Sequence, residues 1–342
     1  MTMRYAVWQG AAVLWAMAAS ASAAPLELSR VAADAKWLMH VDFDAMRETL
    51  LARKMKEHPK HAAHMAMVQA MIGMNPEQDL HGATMYGSKV GQEQGVMILD
   101  ARMDQKRVGD MLRKAGSPKE GAYGERKYME MEHKPRHRSE PMRLAVAFLE
   151  GNLIVAASSV DDLKSALDVI DGKAASLTPS SSLAGAVPPG TTMLMRVEGI
   201  RDAAGQRDCC KLAKQAESFR FVTGEYEGQA FYRARAEMTN PKVAAQLQEV
   251  VEGMRALGQL HVGDNEVGLR LVNDLRVKTD GGELTVLWKG SAEEVWAIVE
   301  AHKKIFAEKK AKYAAMKKHR GDKKHDGDAP AKSSPSGGEE DF

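Results

Sequence analysis

The chain has 342 residues, 44% of them hydrophobic, with 48 Lys and Arg against 46 Asp and Glu and 2 cysteines. These numbers exclude a collagen, a disulfide-stapled miniprotein and a wholly disordered chain, and leave room for one large or two ordinary domains around a real core. A net charge of +2 gives no whole-chain attraction for nucleic acid, and the one compositional oddity is 22 methionines.

Residues 1–23 read as an export signal. Arg4 supplies the positive start, Gly10 to Ala19 is apolar, and Ala21-Ser22-Ala23 is a small-residue cleavage site. The apolar run is shorter than the roughly 20 residues a bilayer crossing needs, and no later stretch is long enough. Cys209 and Cys210 are far from the cleavage site, so no lipidated N-terminal cysteine follows. The mature protein is expected to begin at Ala24 and to be periplasmic or secreted.

Trp37, Met39, Val41 and Phe43 alternate with Leu38, His40 and Asp42, the period of a half-buried strand, and Ala230, Tyr232, Ala234 and Ala236 alternate likewise. Hairpin turns are signalled at Glu150-Gly151-Asn152, between Gly224 and Gly228, and at Asp280-Gly281-Gly282. Ser159 and Ser291 each precede an acid three residues on, Asp162 and Glu294, the pattern of a helix start capped by hydroxyl and carboxylate. The first of these helices carries Leu163, Ala166, Leu167 and Ile170 on one face and stops at Gly172. Another opens at Asn240-Pro241 with Val243, Leu247, Val250, Val251 and Met254 on a stripe, and Asp104 caps one with Val108, Met111 and Leu112 inward.

Three landmarks recur in order. Leu38-Met39-His40-Val41-Asp42 returns as Leu194-Met195-Arg196-Val197-Glu198. Gly95 with Ala101-Arg102 returns as Gly228 with Ala234-Arg235, and Leu153 and Val155 leading through Ser159 return as Leu284 and Val286 leading through Ser291. The expected architecture is α+β: two pseudo-repeats of antiparallel sheet with amphipathic helices on one face, followed by a disordered C-terminal tail. The parts are a signal at 1–23, a first repeat at 24–176 with a Met/His-rich helical insertion, a linker at 177–190, a second repeat at 191–316 ending in a long helix, and a charged tail at 317–342. Lys303 to Lys324 carries ten Lys and Arg against two acids, and the segment after it is acidic and poor in apolar residues.

The sharpest chemical pattern is His58, His61 and His64 followed by Met65, Met67, Met71 and Met74. Imidazoles with thioethers can hold copper, the thioether favouring its reduced ion. The bland reading is packing, with Met67, Met71 and Met74 as an inward stripe and the histidines solvated. His40, Asp42 and Asp44 could hold a metal or present an acid-base group, but in the repeat they correspond to Arg196, Glu198 and Ile200, and a helix cap explains Asp42. Cys209-Cys210 closes at best a strained ring. The basic tip His133 to Arg138 could bind an anionic polymer or be a solvated hairpin tip, and the run after Lys303 reads alike, as a solvated segment or one that meets an anionic surface. No phosphate loop, nucleophile elbow, HExxH or paired CxxC is present.

The run Ala35 to Asp42, Asp79-Leu80-His81-Gly82 with Tyr86-Gly87, and Leu163 to Gly172 resemble a group of uncharacterised exported bacterial proteins. These are strand and capping patterns, so the resemblance implies a framework and no catalytic residue. The function expected is a non-enzymatic exported protein that binds an envelope or extracellular partner, without cofactor, transmembrane span or specific nucleic-acid binding. The alternatives are copper or other metal binding through His58, His61, His64, Met65 and Met67, and an enzyme of unrecognised type.

Overall fold

The computed structural model describes residues 25–91, 94–133, 141–203, 215–262, 266–301 and 303. Residues 1–23, expected from sequence to be an export signal, the Cys209-Cys210 pair, the loop tip 134–138 and the charged tail lie outside them. Residues up to Val295 form one compact unit. A second, Trp296–Phe342, is described only at 296–301 and 303, where Lys303 lies 4.5 Å from the centre of the Trp296 ring.

Twelve strands make a single antiparallel sheet. In chain order they are β1 (Trp37–Asp42), β2 (Leu80–Gly87), β3 (Val96–Ala101), β4 (Lys119–Tyr123), β5 (Arg126–His133), β6 (Met142–Phe148), β7 (Leu153–Ala157), β8 (Thr191–Glu198), β9 (Ala216–Tyr226), β10 (Gln229–Met238), β11 (Arg276–Asp280) and β12 (Glu283–Ser291). Across the sheet they run β11-β12-β10-β9-β8-β1-β2-β3-β7-β6-β5-β4. The first landmark strands, β1 and β8, pair with each other at the centre, Met39 opposite its own counterpart Met195, Leu38 opposite Arg196 and His40 opposite Leu194. The two repeats therefore join edge to edge about a local twofold axis between those methionines. Outward from it, β2 and β9, β3 and β10, and β7 and β12 occupy matching places, and β4 and β5 extend the first repeat.

Helices fill the connections: α1 (Phe43–Glu48), α2 (Leu50–Lys56), α3 (His61–Ile72), α4 (Pro76–Asp79), α5 (Gln105–Gly116), α6 (Val160–Ile170), α7 (Ile200–Ala203), α8 (Pro241–Val262) and α9 (Glu266–Asn273). Four of the caps that the sequence signals form, and Thr49 and Asn75 add two that it does not. The Asp42, Asp104, Ser159 and Asn240 side chains each accept from a backbone N–H three residues on, at 2.8–3.1 Å. The turns also form as expected, Gly151 and Asn152, Glu227 and Gly228, and Gly281 all taking positive φ.

Opposed residues of an antiparallel pair share a face, so the ladder assigns every strand side chain. The front carries Leu38, Tyr86, Val96, Ile98, Ala147, Val155, Leu194 and Val222, which pack with Leu163 and Leu167 of α6 and with Leu177 and Leu183 of the segment after it into the main core. Leu38 and Leu163 are wholly buried. The sequence places helices on one face, whereas the structure divides them. On the back, Val243 and Ala244 of α8 pack on Ala216 and Met238, while Leu50 of α2 joins Ala230, Trp288, Ala292 and Val295.

This packing settles three choices of side, one of them against the inward stripe of Met67 and Met71 expected from sequence. In β1 the buried positions are Leu38, His40 and Asp42, while Trp37, Met39 and Val41 are half-buried, because the denser cover lies on the front. In α3 the inward positions are His61, Met65, Val68 and Ile72, while Met67 and Met71 are 53% and 58% exposed; period alone could not choose the phase. In the third landmark, Leu153 and Val155 face the front, but Leu284 and Val286 stand opposite Ala236 and Ala234 on the back. An odd-residue slip is enough to exchange faces.

Candidate functional site

A polar cleft of about 360 Å³ opens on the front, at the end of β1, β2 and β3. Its floor follows from the ladder. Asp42, Gly82 and Asp100 stand in one row, and His40, Thr84 and Ile98 in the next. With only a hydrogen at Gly82, the row has a gap between its two acids, and the cleft lies over it. Pro25, Glu27 and Arg30 from the short N-terminal helical turn close one side, and Asn152 of the β6–β7 turn lines another.

Two histidines enter by different routes. His40 is carried by β1, is 6% exposed, and places Nδ1 2.9 Å from the Thr84 hydroxyl on the neighbouring strand. His81 reaches the cleft because β2 is irregular there: Leu80 stands opposite Ala101 and Gly82 opposite Asp100, leaving His81 as an extra residue. Such a bulge re-aims a side chain. Here it brings His81 Nδ1 to 3.1 and 3.2 Å from the two Asp44 oxygens. Asp44 stands in the first turn of α1, held also by Arg47, whose guanidinium donates to the Leu80 carbonyl at 2.7 Å.

The charges divide into satisfied and available groups. Glu27 is paired with Arg30 at 2.8 Å, and Asp44 with His81 and Arg47. The Asp100 backbone is held in the ladder, but its carboxylate lines the cleft with no side-chain hydrogen bond or ion pair to another described residue, an acceptor available to a ligand. A second cleft of about 310 Å³ shares Pro25 and His40 but is mainly apolar, with Leu26, Leu28, Val187, Met193 and Leu194 along it. Arg196, the repeat's counterpart of His40, borders it, yet is spent on structure: its guanidinium donates to the carbonyls of Leu183, Gly185 and Ala186.

Of the residues singled out from sequence, His40 and Asp44 line the cleft, Asp44 from α1, where the strand has already ended, while Asp42 caps α1 and lines the second, mainly apolar cleft. His81, Thr84 and Asp100 were missed. A bulged histidine and two ordinary strand residues carry no periodic signal. The Met/His set is split. His58 accepts from the Lys60 N–H at 3.3 Å before α3 begins, and His61 pairs with Glu77 at 2.7 Å. Met65 turns inward, and His64, Met67 and Met71 share the outward face of α3. No group of three or more His, Cys, Asp or Glu positioned for a metal ion occurs among the described residues, and no helix among them is long and apolar enough to cross a membrane.

No protein-family model matches the chain, and no curated protein does. Among solved structures it is similar to crystal form III of TP0453, with a TM-score of 0.45 and 11% identity over 81% of this chain and 99% of that one. Crystal form I of the same protein gives a TM-score of 0.43 and 12% identity, over 83% and 98%.

Proposed function

We propose that this chain is an exported, non-catalytic binding protein that takes a small ligand rich in hydrogen-bond donors, such as an amine or amino sugar, into the cleft over Gly82. The observation that carries the reading is the open Asp100 carboxylate beside His40 and Thr84, in a cleft of the size that small ligands fill. Export rests on the sequence pattern of residues 1–23, and N-terminal sequencing of the mature protein is expected to begin at Ala24. The ligand is sought by thermal-shift screening of amines and amino sugars. The expected result is a stabilising ligand whose effect disappears in Asp100→Asn. Slow turnover of such a ligand, lost in Thr84→Val, would instead favour an enzyme, since Thr84 and His40 stand at the distance of a nucleophile and its base.

A copper reading keeps one observation of its own. His64, Met67 and Met71 lie at helical spacings on the exposed face of α3, where an imidazole and two thioethers could meet a single Cu(I) ion. Copper analysis of the mature protein separates the readings: Met67→Leu with Met71→Leu should remove bound copper, and equal, negligible copper in parent and variant eliminates the site.

A further inference from the structure

The front of the second repeat is not covered as the first is. The chain leaving β7 folds α6 over the front, but Ala292 and Val295, which follow β12, pack on the back. Among the described residues no helix covers the front of β9, β10, β12 and β11, and the ladder fills it with cations. One row reads Val222, Arg233, Leu287 and Arg276, and the next Arg220, Arg235, Thr285 and Lys278, with Lys289 beside them opposite Phe231. Arg220, Arg235, Arg276, Lys278 and Lys289 are exposed and Arg233 is half-buried. Among the described residues, Arg235 makes a 3.8 Å approach to Glu283 and Arg220 a 3.3 Å bond to the Ser182 carbonyl.

Like charges directly opposite each other on neighbouring strands destabilise a sheet, yet Arg196, Arg220 and Arg235 stand opposite one another in sequence across β8, β9 and β10. Burial, and then the nearby Arg220, hold the Arg196 guanidinium below its ordinary pKa. A bound anion would relieve the repulsion at Arg220 and Arg235. We propose that this face binds a linear polyanion lying across the strands, an acidic polysaccharide with one carboxylate per sugar.

The spacing selects the class. Strands lie about 4.8 Å apart, so a polymer crossing them meets a cation every one or two strands, at intervals of about one or two sugars. Duplex DNA, with one charge per roughly 1.7 Å, is several times denser than the rows. A bordering row, Ser218, Glu237, Glu283 and Asp280, is acidic and confines the polymer to the cationic band. Phe231 and Leu287 supply apolar area for the sugar rings.

The test is binding of polygalacturonate oligomers to the full mature chain at low salt, by affinity electrophoresis. Arg233→Gln with Arg235→Gln should weaken binding about tenfold and flatten its salt dependence, at an unchanged thermal midpoint. Thr285→Arg, which adds a cation between Arg235 and Lys278, should tighten it. The substitutions K309Q, K310Q and K312Q in the basic run should leave it within about twofold. The proposal is overturned if the sheet variants bind like the parent, if the basic-run variant accounts for the loss, or if single-stranded DNA binds the parent as tightly as the uronate.

Discussion

One row of side chains crosses the whole front, and its two arms differ. From Leu38 toward β4 it reads Tyr86, Val96, Ala157 and Ala145 as far as β6, and turns charged, Glu130 and Lys119, only on β5 and β4; toward β11 it reads Arg196, Arg220, Arg235, Thr285 and Lys278. The backbone ladder is alike on both arms, so the contrast is not made by pairing. It follows from what comes after the last strand of each repeat. β7 puts Leu153 and Val155 on the front and is followed by a helix that covers them, while β12 puts Leu284 and Trp288 on the back. A duplicated framework can thus hold a core on one arm and offer a surface on the other, because a sheet face needs apolar residues only where something covers it.

Truncating the covered arm should have the largest effect. Leu163→Ala, at a wholly buried α6 side chain, is expected to cost about 2–5 kcal/mol in denaturant unfolding, whereas Leu287→Ala on the open arm should cost under about 1 kcal/mol. Equal losses would break the comparison.

Arg196 marks the border between the arms. Arg196→Ala leaves the carbonyls of Leu183, Gly185 and Ala186 without their donor and should cost about 1–3 kcal/mol. Arg220→Ala, one strand outward, removes an exposed charge facing it and should change stability by under about 0.5 kcal/mol. A large loss at Arg220 would mean that the cationic row is structural.

Caps act locally, so they should not distinguish the faces. Ser159→Ala before α6 on the front and Asp104→Ala before α5 should each lower stability by about 1 kcal/mol, measured by thermal unfolding. A difference of several-fold would show that cover, and not the cap, holds one of these helices.

The smallest effect is expected at Tyr86. Its hydroxyl is buried without a partner among the described residues, and burial, with Asp34 and Asp162 nearby, pushes its pKa far above the ordinary tyrosine value. Tyr86→Phe should therefore leave the thermal midpoint equal or slightly raised. A clear drop would reveal that the hydroxyl bonds to a group in the small cleft beside it, lined by Asp34, Lys89 and Asp162.

Local order determined what could be read directly from the residues. Strand alternation at Trp37 to Asp42, glycine turns at 151, 228 and 281, and side-chain caps at Asp104, Ser159 and Asn240 depend on groups within a few positions of one another, so the sequence alone was enough for them. The repeat was legible for the same reason, although its matched glycines serve different ends. Gly228 takes the positive φ of a turn, while a Cβ at Gly95 would come within 2.8 Å of the Trp37 indole. The tertiary structure alone decided which face each element shows. The phase of α3, the side taken by Leu284 and the inward turn of His40 each depend on cover supplied by distant segments. The cleft is more distant still from sequence: it needs the gap at Gly82, the bulge that turns His81 toward Asp44, and the placing of Asp100 two strands from β1. A periodic pattern specifies alternation to within a choice of side, and only long-range packing makes that choice.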